Sequence, residues 1–180
     1  MTDFDDVNML KRFFAELNAT DRQLLLQKLK HENVYSKDFL PRAITKPDGR
    51  VIKLATFGDI KAAFASNAKV LDVRDQSEVD QAKGGKTVDD AVHAPVNVNG
   101  QAQSTHQTTL EEYKAALTAA GVDVANHEPG SFVVHCTGGG RAEKVCGFLR
   151  ELGFTALNGG GAGEVAKCFE ESKIKQAEVK

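Results

Sequence analysis

The run Ser131-Phe132-Val133-Val134-His135-Cys136-Thr137-Gly138-Gly139-Gly140-Arg141 carries the fold. It passes from a short apolar block through three glycines into a helical pattern, with Ala142, Val145, Cys146, Leu149 and Leu152 on one face and Gly153 as its stop. A short continuous apolar run bounded by turn residues reads as a buried strand. Strand, glycine loop and helix in that order are the unit of a parallel sheet, and they put Cys136 at its carboxyl edge, where open α/β folds place their ligands.

Working outward, Lys69-Val70-Leu71-Asp72-Val73 is a second apolar strand and Val51-Ile52-Lys53-Leu54 a shorter one. Thr56 with Asp59 caps a helix carrying Ile60, Ala63 and Phe64. Thr109 with Glu112 caps another, carrying Leu110, Tyr113, Ala116 and Leu117 and ending at Gly121. Residues 76–90 are polar and contain glycine, hence loop or irregular helix, and Val96-Asn97-Val98 reads as a short strand. Downstream, Phe154-Thr155-Ala156-Leu157 is a last strand. Gly159 to Gly163 then form a turn before a final helix marked by Val165, Cys168 and Phe169, whose end is the charged, solvated tail from Glu170 to Lys180. Strands alternating with capped helices predict an α/β fold, a mainly parallel sheet with helices on both faces.

Residues 1–33 read as two helices. Phe4, Val7, Leu10, Phe13, Phe14 and Leu17 form one apolar stripe, and Thr20 with Gln23 forms a capping box ahead of Leu24, Leu25, Leu26 and Leu29. Helices this short need something to dock on, either their own domain or a protein partner. Pro41, Pro47 and Asp48-Gly49 punctuate residues 34–50, which read as a connector. The expected organisation is a helical extension and connector over 1–48 and an α/β domain over 50–175.

The length of 180 residues and the 41% hydrophobic content suffice for one such core. The 23 basic against 25 acidic residues give a net charge of −2, against the basic excess that nucleic-acid binding requires. No run approaches the roughly 20 apolar residues of a membrane span, and the acidic Met1-Thr2-Asp3-Phe4-Asp5-Asp6 is unlike a signal peptide. Cys136, Cys146 and Cys168 are odd in number with no Cys-x-x-Cys pair, which argues against a disulfide scaffold or structural metal site. A reducing, cytoplasmic setting with free thiols and no metal or cofactor is the expectation.

Chemistry concentrates in the loop. Three glycines let the backbone curl so that successive N–H groups face the sulfur at a helix N-terminus, and Arg141 adds a permanent charge at the rim. All three effects favour thiolate over thiol, the nucleophilic form. The bland alternative is a buried structural cysteine before a flexible turn; the glycines, the arginine and the strand–loop–helix context favour the reactive reading. Cys146 and Cys168 lie on apolar stripes and read as core. His135 follows the strand alternation to the face opposite Cys136, which argues against a Cys–His dyad. His93 and His106 fall in or near the irregular stretch, placed either to line the pocket or to be solvated. The Gly159–Gly163 cluster lacks the following strand and acid of a dinucleotide site, and it reads as packing beside the Cys136 loop.

Several of these segments together resemble the rhodanese family. They are Val70-Leu71-Asp72-Val73-Arg74 with Glu78, Ala94-Pro95-Val96-Asn97-Val98, Cys136 to Arg141, Leu152-Gly153-Phe154 and Leu157-Asn158-Gly159-Gly160, spanning about residues 50–170. The resemblance implies a rhodanese-like fold and a thiosulfate sulfurtransferase activity. A sulfane sulfur from a small donor such as thiosulfate would pass through a Cys136 persulfide to cyanide or a thiol. It makes Cys136 the nucleophile, and Thr137, Gly138, Gly139, Gly140 and Arg141 the substrate-binding cradle. Asp72 and Arg74 read as a structural ion pair near the site. This chain departs from the family at Asp90-Ala91-Val92, where the usual Gly-His-Ile is missing, and in an insertion, Lys83 to Asp89, placed to reshape the pocket wall. Phosphatases and arsenate reductases of the same fold use Cys-x5-Arg, one residue longer to hold a tetrahedral oxyanion; the Cys-x4-Arg spacing here favours sulfur transfer. A non-catalytic partner-binding module is the third reading, weakened by the presence of the cysteine.

Overall fold

The computed structural model describes residues 16–24, 37–97, 108–124 and 130–178. The chain divides into two units, Met1–Leu40 and Pro41–Lys180. In the first, residues 19–24 are helical, and a short 3-10 turn spans Lys37–Phe39. The helix cap is Asn18 rather than the expected Thr20. Asn18 Oδ1 accepts from the Asp21 amide at 2.9 Å and its Nδ2 donates to Asp21 Oδ2 at 2.6 Å, so the reciprocal pair starts two residues earlier. Leu17 falls at a bend and Leu24 is exposed; the other apolar positions of the two expected helices lie outside the described residues.

In the second unit, strands β1 (Arg42–Thr45) and β2 (Val51–Leu54) form an antiparallel hairpin. Helix α1 (Phe57–Ala65), strand β3 (Lys69–Asp72), helix α2 (Gln76–Asp80) and strand β4 (Val92–His93) follow. Then come α3 (Leu110–Ala119), β5 (Ser131–Cys136), α4 (Gly140–Glu151), β6 (Thr155–Gly161) and α5 (Ala162–Glu178). Strands β4, β3, β5 and β6 form a four-stranded parallel sheet in that order, so the sheet is mixed with helices as an α/β fold requires.

Alternation along the strands divides the core in two. Leu71, Phe132, Val134 and Cys136 face Tyr113 and Leu117 of α3 and Val145, Cys146 and Leu149 of α4. Val70 and Val133 face Ile60 and Phe64 of α1 and Val165 and Cys168 of α5. Each fully buried aliphatic side chain here stabilises the fold by about 1.5–3 kcal/mol. Phe132 and Phe154 meet edge to face at 5.5 Å, and Phe64 and Phe169 at 5.2 Å. Two of the three expected capping boxes form, Thr56 with Asp59 and Thr109 with Glu112. Cys146 and Cys168 are buried core residues, and burial pushes the Cys146 thiol up to about 12. Among the described residues no helix is long and apolar enough to cross a membrane.

Three expectations change. The connector contains β1, a strand with a single large apolar residue, Ile44, and hence no readable pattern; it is held by pairing with β2 and by Arg42. Val96-Asn97-Val98 does not form the expected strand. The pairing with β3 falls instead on Val92–His93, while Val96 turns into the core, Asn97 donates to Asp75, and Val98 lies outside the described residues. The glycines at 159–161 belong to β6 rather than to a turn. A Cβ on Gly159 would sit 2.4 Å from Val165 Cγ2, so the bare backbone is what lets α5 close on the sheet.

Candidate active site

Cys136 ends β5 with 2% of its surface exposed, and the chain must turn at once to start α4. The turn is made by Gly139, the N-cap of α4, at φ 87°, a left-handed conformation that side chains resist. In that conformation the Gly139 amide donates to Cys136 Sγ at 3.0 Å. The cap brings no side chain to the helix end, so the sulfur receives a backbone donor and lies at the positive pole of α4. Gly138 faces open space.

The loop is held from two sides. Asn158 on β6 donates through Nδ2 to the Gly139 carbonyl at 3.0 Å and accepts from the Gly160 amide at 3.2 Å, tying loop to sheet. The hairpin lies against the same loop: a Cβ on Gly139 would fall 2.7 Å from Leu54 Cδ2, and one on Gly140 would fall 3.0 Å from Lys46 Nζ. The glycines therefore admit a second strand pair as well as turning the chain. Arg42 anchors that pair, donating to the Ala55 carbonyl at 2.7 Å and pairing with Glu164 at 2.7 Å.

Arg141 is engaged by α2 rather than free at the rim. Its guanidinium binds Glu78 through both arms, with Nη2 2.7 Å from Oε1 and Nη1 against Oε2, and Asp75 lies 3.6 Å from Nη1. Thr137 Oγ1 joins the cluster, donating to Glu78 Oε1 at 2.8 Å and accepting from Arg141 Nη2 at 3.0 Å. The hydrogen bond from Arg141 holds the Glu78 carboxyl down at about 2. Burial works against the Arg141 charge, but Glu78, Cys136 and Asp75 outweigh it and raise the group above its ordinary value.

Beneath the loop, Asp72 and Arg74 form a fully buried pair, with Nη2 2.6 Å from Oδ2 and Nε 2.9 Å from Oδ1. The remaining arm of Arg74 donates to the carbonyls of Lys83 at 2.6 Å and Gly85 at 2.9 Å. This fixes the start of the Lys83–Asp89 insertion. A Cβ on Gly84 would lie 2.7 Å from the Thr137 carbonyl, and Gly84 itself accepts from the Gly163 amide at 2.9 Å. The insertion thus forms a wall against the reactive loop. His135, beside Cys136 in sequence, turns away to Thr87 at 2.9 Å, and His93 bonds the Arg74 carbonyl at 2.8 Å. His106 lies outside the described residues.

Cys136, Thr137, Gly138, Gly139, Gly140 and Arg141 are brought together as one loop, with Asp72 and Arg74 behind it. Glu78 was legible only as part of a motif, with no hint of its bond to Arg141. Asn158 was likewise legible only as part of a motif, and Leu54 and Lys46 carried no site signal at all, because their roles arise from β6 and the hairpin closing on the loop. Among the described residues no group of three or more His, Cys, Asp or Glu is placed to hold a metal ion. Chemically, the arrangement presents one sulfur with a backbone donor aimed at it, suited to carrying negative charge and attacking an electrophile. Comparison with protein-family models, curated proteins and solved structures finds no match for this chain.

Proposed function

We propose that the chain belongs to the enzymes that work through a cysteine thiolate, and within them that it is a rhodanese-like sulfurtransferase. The observation that carries this reading is the Gly139 amide donating to Cys136 Sγ at 3.0 Å, at the junction of a parallel strand and a helix. The four-residue spacing from Cys136 to Arg141 supports sulfur transfer over phosphoryl or arsenate chemistry, since a short loop closes tightly around the sulfur.

In the first half-reaction the Cys136 thiolate attacks the outer sulfur of thiosulfate. A new S–S bond forms to Cys136, the donor S–S bond breaks, and its electron pair leaves with sulfite. In the second, cyanide or a thiolate attacks the terminal sulfur of the persulfide, and the Cys136 thiolate departs with the pair. No external oxidant or reductant is needed. The Gly139 amide and the positive pole of α4 stabilise the negative sulfur that begins and ends the cycle. Glu78 orients Arg141 and Thr137 so that the loop keeps its curl. The three free cysteines suit a reducing, cytoplasmic setting.

Thiocyanate production from thiosulfate and cyanide tests the proposal. The wild type turns over and Cys136→Ser does not. Hydrolysis of an aryl phosphate by the wild type, without thiocyanate formation, would replace sulfur transfer with phosphatase chemistry.

A further inference from the structure

The inference rests on the sulfur-transfer reading and concerns which residue recognises the donor. The side-chain cation that the loop itself supplies, Arg141, is committed: Glu78 takes both arms, Thr137 Oγ1 lies 3.0 Å from Nη2 and Asp75 lies 3.6 Å from Nη1. A second cation reaches the loop from the hairpin. Lys46 stands at the turn between β1 and β2, and a Cβ on Gly140 would lie 3.0 Å from its Nζ and 3.2 Å from its Cε. The absence of a side chain at Gly140 is what allows this approach.

The base of Lys46 is fixed. Its amide donates to the Arg50 carbonyl at 2.8 Å, and its carbonyl accepts from the Gly49 amide at 2.9 Å, closing the turn. Its ammonium has no ion-pair or hydrogen-bond partner among the described residues, in contrast to Arg42 on Glu164, Arg74 on Asp72 and Arg141 on Glu78. Around the loop, then, Arg42, Arg74 and Arg141 are each matched to a carboxylate, whereas the Lys46 ammonium is not.

We propose that Lys46 determines donor specificity by receiving the anionic end of the sulfur donor, the sulfonate oxygens of thiosulfate or an organic thiosulfonate. Held there, one residue from the amide that bonds Cys136 Sγ, the donor presents its outer sulfur to the thiolate. Sulfite, or a sulfinate from an organic thiosulfonate, leaves from the same ammonium.

Steady-state kinetics of Lys46→Gln and Lys46→Arg with thiosulfate, and with an alkyl persulfide, which has no sulfonate end, provide the test. Lys46→Gln raises the KM for thiosulfate about tenfold, the size of one charge-assisted hydrogen bond, and leaves kcat within about threefold. Lys46→Arg restores the KM to within about threefold, and added salt raises the KM of the wild type more than that of Lys46→Gln. Handling of the alkyl persulfide is the same in all three proteins. A KM for thiosulfate unchanged in Lys46→Gln, or an equal rise for both donors, overturns the role of Lys46 while leaving sulfur transfer standing. Failure of both donors to place sulfur on wild-type Cys136 overturns sulfur transfer itself, and the role of Lys46 with it.

Discussion

Glu78 and Arg141, 63 residues apart, meet with Oε1 2.7 Å from Nη2, and the same carboxylate oxygen accepts the Thr137 hydroxyl at 2.8 Å. A carboxylate from α2 therefore grips the first residue of the reactive loop and the arginine that closes it. Both side chains of the ion pair are largely shielded from water, with relative exposures of 17% and 16%. That places the pair between a weak surface bridge and a fully buried one.

Glu78→Gln is expected to lower stability at pH 7 by about 1–3 kcal/mol, since Arg141, Thr137 and the Asp75 amide lose a charged acceptor. The Glu78 carboxyl is held at about 2 against an ordinary 4.5, so its contribution is complete above 4.5 and is lost as pH falls toward 2. Denaturant unfolding at pH 7 and pH 3 checks this. The gap between wild type and Glu78→Gln narrows at the lower pH; a gap independent of pH would contradict the assignment.

The glycines of the loop separate by conformation. Gly139 has φ 87°, and a Cβ there would fall 2.7 Å from Leu54 Cδ2, whereas Gly138 has open space. Gly139→Ala is expected to cost roughly 1–3 kcal/mol through left-handed strain and displacement of Leu54. Gly138→Ala stays within about 0.5 kcal/mol of wild type. Thermal unfolding of the two variants side by side distinguishes them, and equal losses would refute the turn geometry.

His135 gives a second, separate pH dependence. Burial lowers its ring to about 4 from an ordinary 6.5; Asp72, 3.8 Å from Nδ1, opposes the shift and the charge of Arg74 reinforces it. The unfolded chain binds the proton first, so stability is complete above pH 6.5 and falls between pH 6.5 and about 4. The loss across that window is on the order of 3 kcal/mol. His135→Gln is expected to flatten it in unfolding measurements made at successive pH values. An unchanged acid limb would place the sensitivity elsewhere.

Much of the parallel core was legible because its signals are local. The apolar runs at Val70 and Phe132, the Thr56–Asp59 and Thr109–Glu112 boxes and the stripe of α4 each depend on residues a few positions apart. What escaped was set by distant partners. Strand β1 exists because Val51–Leu54 pairs with it, and the strand glycines of β6 are explained only by Val165 arriving from α5. The short apolar run at Val96 matched a strand pattern, yet Thr108 Oγ1 bonds its carbonyl at 2.7 Å and the ladder forms four residues earlier. In the site, the cysteine loop could be read from its spacing. The commitment of Arg141 to Glu78 and the approach of Lys46 to Gly140 could not, since neither pair is close in sequence.

The central claim is that Cys136 carries transferable sulfur, and intact-mass spectrometry of the reduced protein after incubation with thiosulfate tests it most directly. One added sulfur is expected on the wild type, lost again on exposure to cyanide, and none on Cys136→Ser. An unmodified wild-type chain, or a sulfur that persists in Cys136→Ser, would contradict the account.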